Sequence, residues 1–291
     1  MTRYKLGVGL IEGRAVPIAL VGASVVTLEE LLGADAPAGL MEAFADWPRF
    51  DPLIEAAAAT VTGGRSAETI EFLSPVPNPR KVICIGANYR DHLAEMKVTA
   101  LPKYPYSFLR PPTSLAAHGE EIRLPAGPEL VDWEAELGIV IGRQLGPGDR
   151  IDASDAIAGF TVVNDVSARD WIATRPPVGI DWVMQKAWNR FQPTGPWITP
   201  ARFVEQPQDL PIELTVNGVV KQKSSTAEMI FGVRDIVAHL SSIMTLEPGD
   251  LIATGTPAGV GFGRNPPERI RPGDRIRVTI GDLGVLENTF V

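Results

Sequence analysis

A chain of 291 residues, 45% hydrophobic and 21% charged, is long enough to bury a sizeable core and too apolar to stay disordered. Its net charge of −8, from 27 basic and 35 acidic residues with no basic cluster, argues against a nucleic-acid partner, which needs concentrated positive charge. No stretch approaches the length of a membrane span, the start lacks a signal-peptide pattern, and the single cysteine, Cys84, allows no internal disulfide, so a cytoplasmic protein is expected.

The 26 prolines and 28 glycines point to turns and strands rather than a helical bundle. Residues 1–78 read as a small N-terminal unit. Strands over 4–10 and 15–20 flank Glu12-Gly13-Arg14, a hairpin signal. Thr27 is placed to cap a helix, and residues 42–50 and 53–59 read as helical. The run Ser74-Pro75-Val76-Pro77-Asn78-Pro79 is a linker. Residues 79–291 are strand-dominated, which makes the whole a mixed, β-rich α+β protein. A buried strand over 81–85 carries Cys84 as a small core side chain and ends at Gly86. Strands follow over 133–141 and 159–164. Those over 212–216 and 219–223 are joined by Asn217-Gly218, a strong hairpin signal. A long helix is expected over 227–244. Strands over 251–254 and 275–280 each follow Pro-Gly-Asp.

The chemistry begins in Asp132-Trp133-Glu134-Ala135-Glu136-Leu137. On a strand, Glu134 and Glu136 share one face, because side chains alternate. Two carboxylates aimed together into an apolar setting repel each other and call for a hard cation such as Mg²⁺, Mn²⁺ or Ca²⁺. Asp165, at the end of the next strand, offers a third ligand. The alternative is a solvated face on an edge strand.

After the strand over 81–85 comes Gly86-Ala87-Asn88-Tyr89-Arg90-Asp91-His92-Leu93-Ala94-Glu95. On a short helix, His92 and Glu95 touch at i and i+3, so the carboxylate can orient the imidazole as a general base. A surface His–Glu pair would show the same spacing. His118 and His239 share no metal-ligand spacing, which argues against a zinc site. The glycine-rich run 255–263 lacks a phosphate-loop lysine, and its glycines read as backbone brought close to a ligand. Lys186 sits in Trp182-Val183-Met184-Gln185-Lys186-Ala187-Trp188, an apolar setting from which it either serves the site or reaches to solvent.

Together these segments resemble the fumarylacetoacetate hydrolase family over residues 81–291. The motifs are Ile85-Gly86-Ala87-Asn88-Tyr89-Arg90-Asp91-His92, Asp132-Trp133-Glu134-Ala135-Glu136-Leu137, Asn164-Asp165-Val166-Ser167-Ala168-Arg169-Asp170-Trp171, Leu246-Glu247-Pro248-Gly249-Asp250, and Gly255-Thr256-Pro257-Ala258-Gly259-Val260-Gly261. The resemblance implies a mixed β-sandwich roll with a smaller N-terminal α/β domain, in a homodimer. It implies Mg²⁺ or Mn²⁺ on Glu134, Glu136 and Asp165, and a water-activating His92–Glu95 pair on a lid. It also implies Arg169 and Lys186 around a small anionic oxo-acid, with Gly255 and Thr256 on the glycine-rich loop beside it. Two places depart from the common pattern: Ile172 stands where many relatives carry a substrate-contacting glutamine, and Ala187-Trp188-Asn189-Arg190 replaces Ser-Phe-Asp-Gly. The stretch 173–182 reads as a distinctive loop shaping the pocket.

The expected reaction is hydrolytic cleavage of a carbon–carbon bond in a 2,4-dioxo acid through an enolate. Isomerisation of a hydroxydienoate and decarboxylation of an oxaloacetate-like acid would use the same enolate. A non-catalytic metal and carboxylate binder is the rival from another class, and the base pair His92–Glu95 argues against it.

Overall fold

The computed structural model describes residues 1–173, 177 and 179–291. Tyr4–Ile11 and Arg14–Val21 form the expected hairpin, with Ile11 opposite Arg14. Its turn residues Glu12 and Gly13 both take positive φ, 52° and 75°, as a two-residue turn matched to strand twist requires. Ser24–Thr27 and Glu71–Leu73 complete a four-stranded N-terminal sheet. Thr27 closes a capping box on the helix Leu28–Leu32: its Oγ1 accepts from the Glu30 N–H (3.0 Å), and its own N–H donates to Glu30 Oε2 (2.8 Å). The next helices are Leu40–Ala45 and Trp47–Ala58, broken at Asp46 rather than near Pro52. Pro52 lies inside the second helix, early enough to cost a hydrogen bond without ending it.

A six-stranded central sheet runs in the order Thr199–Pro200, Ile157–Asn164, Ala135–Ile141, Leu251–Ala253, Val82–Gly86, Tyr106–Arg110. The pair Leu251–Ala253 and Val82–Gly86 is parallel, and the other neighbours are antiparallel. Val82, Val140, Ala158 and Leu251 pack into one core with Leu6, Phe44 and Ile54 of the N-terminal unit. Ile83, Ile139 and Ile252 face the other way, into a core shared with Leu214, Ile276 and Leu286. Those three belong to a second four-stranded sheet, ordered Val219–Ser225, Pro211–Val216, Arg275–Ile280, Gly284–Thr289. With both faces covered, every residue of Ala135–Ile141 and of Ile157–Asn164 is buried, although successive side chains still enter opposite cores. The architecture is a sheet-rich mixed α/β sandwich.

Two expectations shift. The long helix spans Val233–Ile243, with only a short 3-10 turn at Thr226–Glu228. Asn88 explains the gap: its Oδ1 accepts from Phe231 N (2.9 Å) and its Nδ2 donates to Phe231 O (3.1 Å), which holds that residue out of a helix. The Glu247-Pro248-Gly249-Asp250 motif is structural. Asp250 accepts from Lys81 N (2.9 Å) and Glu247 N (2.7 Å), stapling the starts of the two parallel strands. Among the described residues, no helix is long and apolar enough to cross a membrane.

Register places the chemistry. Ala135 lies opposite Asn164, and Ala253 lies beside both Gly138 and Cys84. The start of one strand and the ends of three others therefore meet at one end of the central sheet, carrying residues 134–136, 164–165, 254–256 and 86–88 to a common place.

Candidate functional site

At that end Glu134, Glu136 and Asp165 converge, with one carboxylate oxygen of each within 4.8 Å of the others. All three are buried, which rules out the solvated edge face. Glu134 precedes the strand Ala135–Ile141 rather than lying within it. Its N–H donates to Asn164 Oδ1 (3.0 Å) and its carbonyl accepts from Asp165 N (2.8 Å), so the two ligand segments are tied directly together.

The three carboxylates are not equivalent. Lys186 donates to Glu134 Oε2 (2.8 Å) and Asp165 Oδ2 (2.6 Å). Arg169 donates to the other oxygen of Glu134 and to Asp132 Oδ2 (3.0 Å). Burial raises the Glu134 carboxyl, but Lys186 and Arg169 outweigh it and hold it below the usual carboxylate range. Glu136 has no cation in hydrogen-bond contact, and the charge of Lys186 offsets its burial only in part. Among the described residues its one hydrogen bond comes from Gly255 N–H (2.8 Å). Burial first, then Asp165 and Glu134, push it well above the usual range. A buried carboxylate with one oxygen unpaired, facing two more carboxylates, fits a divalent cation. The charge balance agrees. Asp132, Glu134, Glu136 and Asp165 outnumber Arg110, Arg169 and Lys186 by one, and a divalent cation turns that excess into a single positive charge, the sign that receives an anionic acid.

Glu134, Glu136, Asp165, Arg169 and Lys186 line a cavity of about 210 Å³. Lys186 is 3% exposed, so it faces this cavity rather than solvent. Opposing burial, Asp165 and Glu134 raise its pKa and keep it charged. His92 lies on the helix Arg90–Glu95 and also faces the cavity. Its Nδ1 meets Glu95 Oε2 at 3.2 Å, which leaves Nε2 free for chemistry. Glu95 Oε1 accepts from Gly259 N–H (2.9 Å). Burial raises Glu95, but these two hydrogen bonds outweigh it and lower its pKa, so it stays an acceptor. Thr256 lines the cavity, its Oγ1 donating to Ala135 O (2.9 Å).

Gly255 acts through its backbone. At φ +93°, a Cβ there would lie 2.9 Å from the Cβ of Asn88, and the N–H would lose its aim at Glu136. The other glycines of the run correct the expectation of ligand approach, because they admit the protein's own chain. A Cβ on Gly259 would meet Lys221 O at 2.2 Å, one on Gly261 would meet Glu268 O at 2.4 Å, and one on Gly263 would meet Glu95. His239 stacks on Tyr104, with ring centroids 5.9 Å apart, and His118 accepts from Glu287 N (3.1 Å). Both stand apart from the carboxylates.

Several working residues escaped the sequence reading. Arg110, fully buried, pairs with Asp165 Oδ1; a lone arginine in the apolar run Tyr106–Arg110 was the available signal. Asp132 accepts from Arg169 and from the N–H groups of Gly261 (2.7 Å) and Phe262 (3.0 Å). Gln222 accepts from Ala135 N (2.8 Å) and donates to Thr256 Oγ1 (2.8 Å), locking strand to loop.

Residues 81–291 match the fumarylacetoacetate (FAA) hydrolase C-terminal family. The chain belongs to this family. A human mitochondrial oxaloacetate tautomerase is 43% identical over 225 residues, 76% of this chain and 70% of its own. Fumarylacetoacetate hydrolase from Exiguobacterium antarcticum has a TM-score of 0.84 at 31% identity, over 99% of both chains. Maleylpyruvate hydrolase from Sphingobium sp. SYK-6, in complex with manganese(II) and pyruvate, has a TM-score of 0.79 at 29% identity, over 99% of this chain and 98% of that one. Of the two departures, Ile172 falls on the cavity wall, whereas residues 187–190 do not line it: Trp188 Nε1 donates to Met184 O and Arg190 pairs with Glu120. Ile172 lines the cavity beside Phe108 and Trp182, which stack with centroids 4.2 Å apart. Residues 174–176 and 178, part of the distinctive loop read over 173–182, lie outside the described residues.

Proposed function

We propose that this enzyme is a divalent-metal-dependent tautomerase that interconverts the enol and keto forms of an oxaloacetate-like 2-oxo dicarboxylic acid. The observation that carries this reading is the joint placement of His92 and Lys186 on one small cavity over the three carboxylates. Glu134, Glu136 and Asp165 would hold Mg²⁺ or Mn²⁺, whose chemistry is Lewis-acid stabilisation of charge on the oxygens of a 2-oxo acid. The 43% identity to an oxaloacetate tautomerase supports the substrate class.

The proton steps belong to the protein. Going from enol to keto, the enol O–H releases its proton to solvent, C3 gains one from His92, and His92 takes a replacement from solvent, so no net proton is consumed. His92 Nε2 exchanges the proton at C3, while Glu95 holds Nδ1 and so fixes the tautomer and ring orientation. The buried ammonium of Lys186 stabilises negative charge on the C2 oxygen. The apolar wall of Phe108, Trp182 and Ile172 excludes water from the carbon that is protonated.

A second reading, hydrolysis of a 2,4-dioxo acid, rests on the same His92–Glu95 pair activating water, and the likeness to maleylpyruvate hydrolase supports it. The deciding experiment follows the decay of enol-oxaloacetate by ultraviolet absorbance with Mg²⁺, with Mn²⁺ and after chelation, next to an acylpyruvate panel. Metal-dependent acceleration of ketonisation without pyruvate release is expected. An uncatalysed rate of enol decay, together with acylpyruvate cleavage, would replace the tautomerase reading with the hydrolase.

A further inference from the structure

The short helix Trp182–Lys186 places Trp182, Gln185 and Lys186 on the cavity wall. Lys186 is committed to Glu134 and Asp165. Gln185 is committed to nothing. It is 1% exposed, its Oε1 is buried without a hydrogen-bond partner, and its Nε2, which is not among the buried orphaned atoms, makes no hydrogen bond with a described residue. A buried amide left unpaired is costly, and such groups persist where a ligand completes them.

The neighbourhood narrows what that ligand can be. Trp182, one helical turn before Gln185, stacks on Phe108, and Ile172 shares the wall, so the amide stands in an apolar surround. The other polar groups of the cavity are engaged: Arg169 with Asp132 and Glu134, and Thr256 with Ala135 and Gln222. His92 Nε2 is set aside for the proton. An acid held by one carboxylate and its 2-oxygen at the charged end has its remaining polar group to satisfy. Among the described lining residues, Gln185 is the side chain with both a donor and an acceptor unused. An amide also suits the task electrically. It binds a carboxylate through Nε2 without adding a cation that would compete for Glu134, Glu136 and Asp165.

We propose that Gln185 is a specificity-determining residue that donates through Nε2 to the second carboxylate of a four-carbon dicarboxylic substrate. Its Oε1 remains free to accept from water or an enol hydroxyl. This assignment rests on the tautomerase reading and narrows it, because it makes the distal carboxylate the feature by which a dicarboxylate is chosen over a monocarboxylate.

The test compares L-malate with L-lactate, which differ in the distal carboxylate, by calorimetry on the Mn²⁺-loaded enzyme. Wild type is expected to bind malate about tenfold or more tightly than lactate, the scale at which an unpaired buried polar group discriminates. Gln185→Leu should weaken malate by about that factor and lactate far less. It should also raise KM for enol-oxaloacetate more than it lowers kcat. Gln185→Glu, which sets like charge against the distal carboxylate, should weaken malate further while lactate holds. Melting temperature and Mn²⁺ affinity near wild type would show that both variants fold. Equal weakening of malate and lactate, or of neither, overturns the assignment, as does a wild type that binds the two alike. If wild type ketonises oxaloacetate but Gln185→Leu discriminates as wild type does, only the assignment fails. If wild type leaves oxaloacetate untouched yet Gln185→Leu selectively loses malate, the assignment stands and the tautomerase reading fails.

Discussion

Glu136→Gln tests whether the fold holds a strained charge that a cation relieves. Glu136 is 1% exposed, accepts one hydrogen bond among the described residues, and is pushed up by burial and by Asp165 and Glu134. A buried acid with a folded pKa above its unfolded value stabilises the fold in its protonated form. That stability is whole below the unfolded value, about 4.3, and falls as pH rises through the folded one. Metal-free wild type should therefore lose stability with rising pH through the range above ordinary carboxylates. Metal-free Glu136→Gln, neutral and isosteric, should lose less and melt at or above wild type near neutral pH. A cation at about 100 times its Kd should add about 2.7 kcal/mol to wild type. With an unfolding entropy of roughly 2.1 cal/mol/K per residue, 291 residues give about 0.6 kcal/mol/K, so the melting point should rise by about 4 °C. Glu136→Gln should lose most of that rise. The assay is scanning calorimetry from about pH 5 to about pH 9, after chelation and after adding Mn²⁺. A variant that keeps the full Mn²⁺ shift, or a metal-free wild type whose stability does not fall with pH relative to the variant, refutes the reasoning.

His92→Ala should slow enzymatic proton transfer by about 10² to 10⁴ while leaving Mn²⁺ affinity within about twofold, because His92 is not among the three clustered carboxylates; a calorimetric Kd beside the rate checks both. Gly255→Ala, forced to φ +93° with its Cβ 2.9 Å from Asn88, should cost upwards of about 1 kcal/mol in chemical denaturation and weaken metal binding through the lost N–H on Glu136. Arg110→Met strips Asp165 Oδ1 of its buried partner and should destabilise the metal-free protein by about 3–5 kcal/mol, a deficit that Mn²⁺ reduces; matched melts with and without Mn²⁺ measure it. The segment from residue 92 to 106 exposes Met96, Val98, Leu101 and Tyr104, with Met96 and Val98 lining the cavity, and should gain hydrogen-exchange protection with Mn²⁺ and oxalate. Unchanged protection would remove the lid from the mechanism.

Local rules determined much of this protein from its sequence. Glu12-Gly13 and Asn217-Gly218 specify two-residue turns because both residues of each must take positive φ. Thr27 and Glu30, three apart, specify a capping box, and His92 and Glu95, three apart on one helix, specify their own contact. Alternation put Glu134 and Glu136 on one face, but that spacing alone left a solvated edge face open, and only their burial closed it. What the tertiary structure alone decided are partnerships between distant residues. Arg110 finds Asp165 across 55 positions, and Gln222 finds Ala135 across 87. Asn88 makes the long helix start late from 143 positions away. Even the continuous burial of Ala135–Ile141 depends on the N-terminal unit and the second sheet covering both faces. No local spacing encodes such pairings. A side chain's partner is set by sheet register and by which layer packs over it, and those are fixed only when the whole chain has folded.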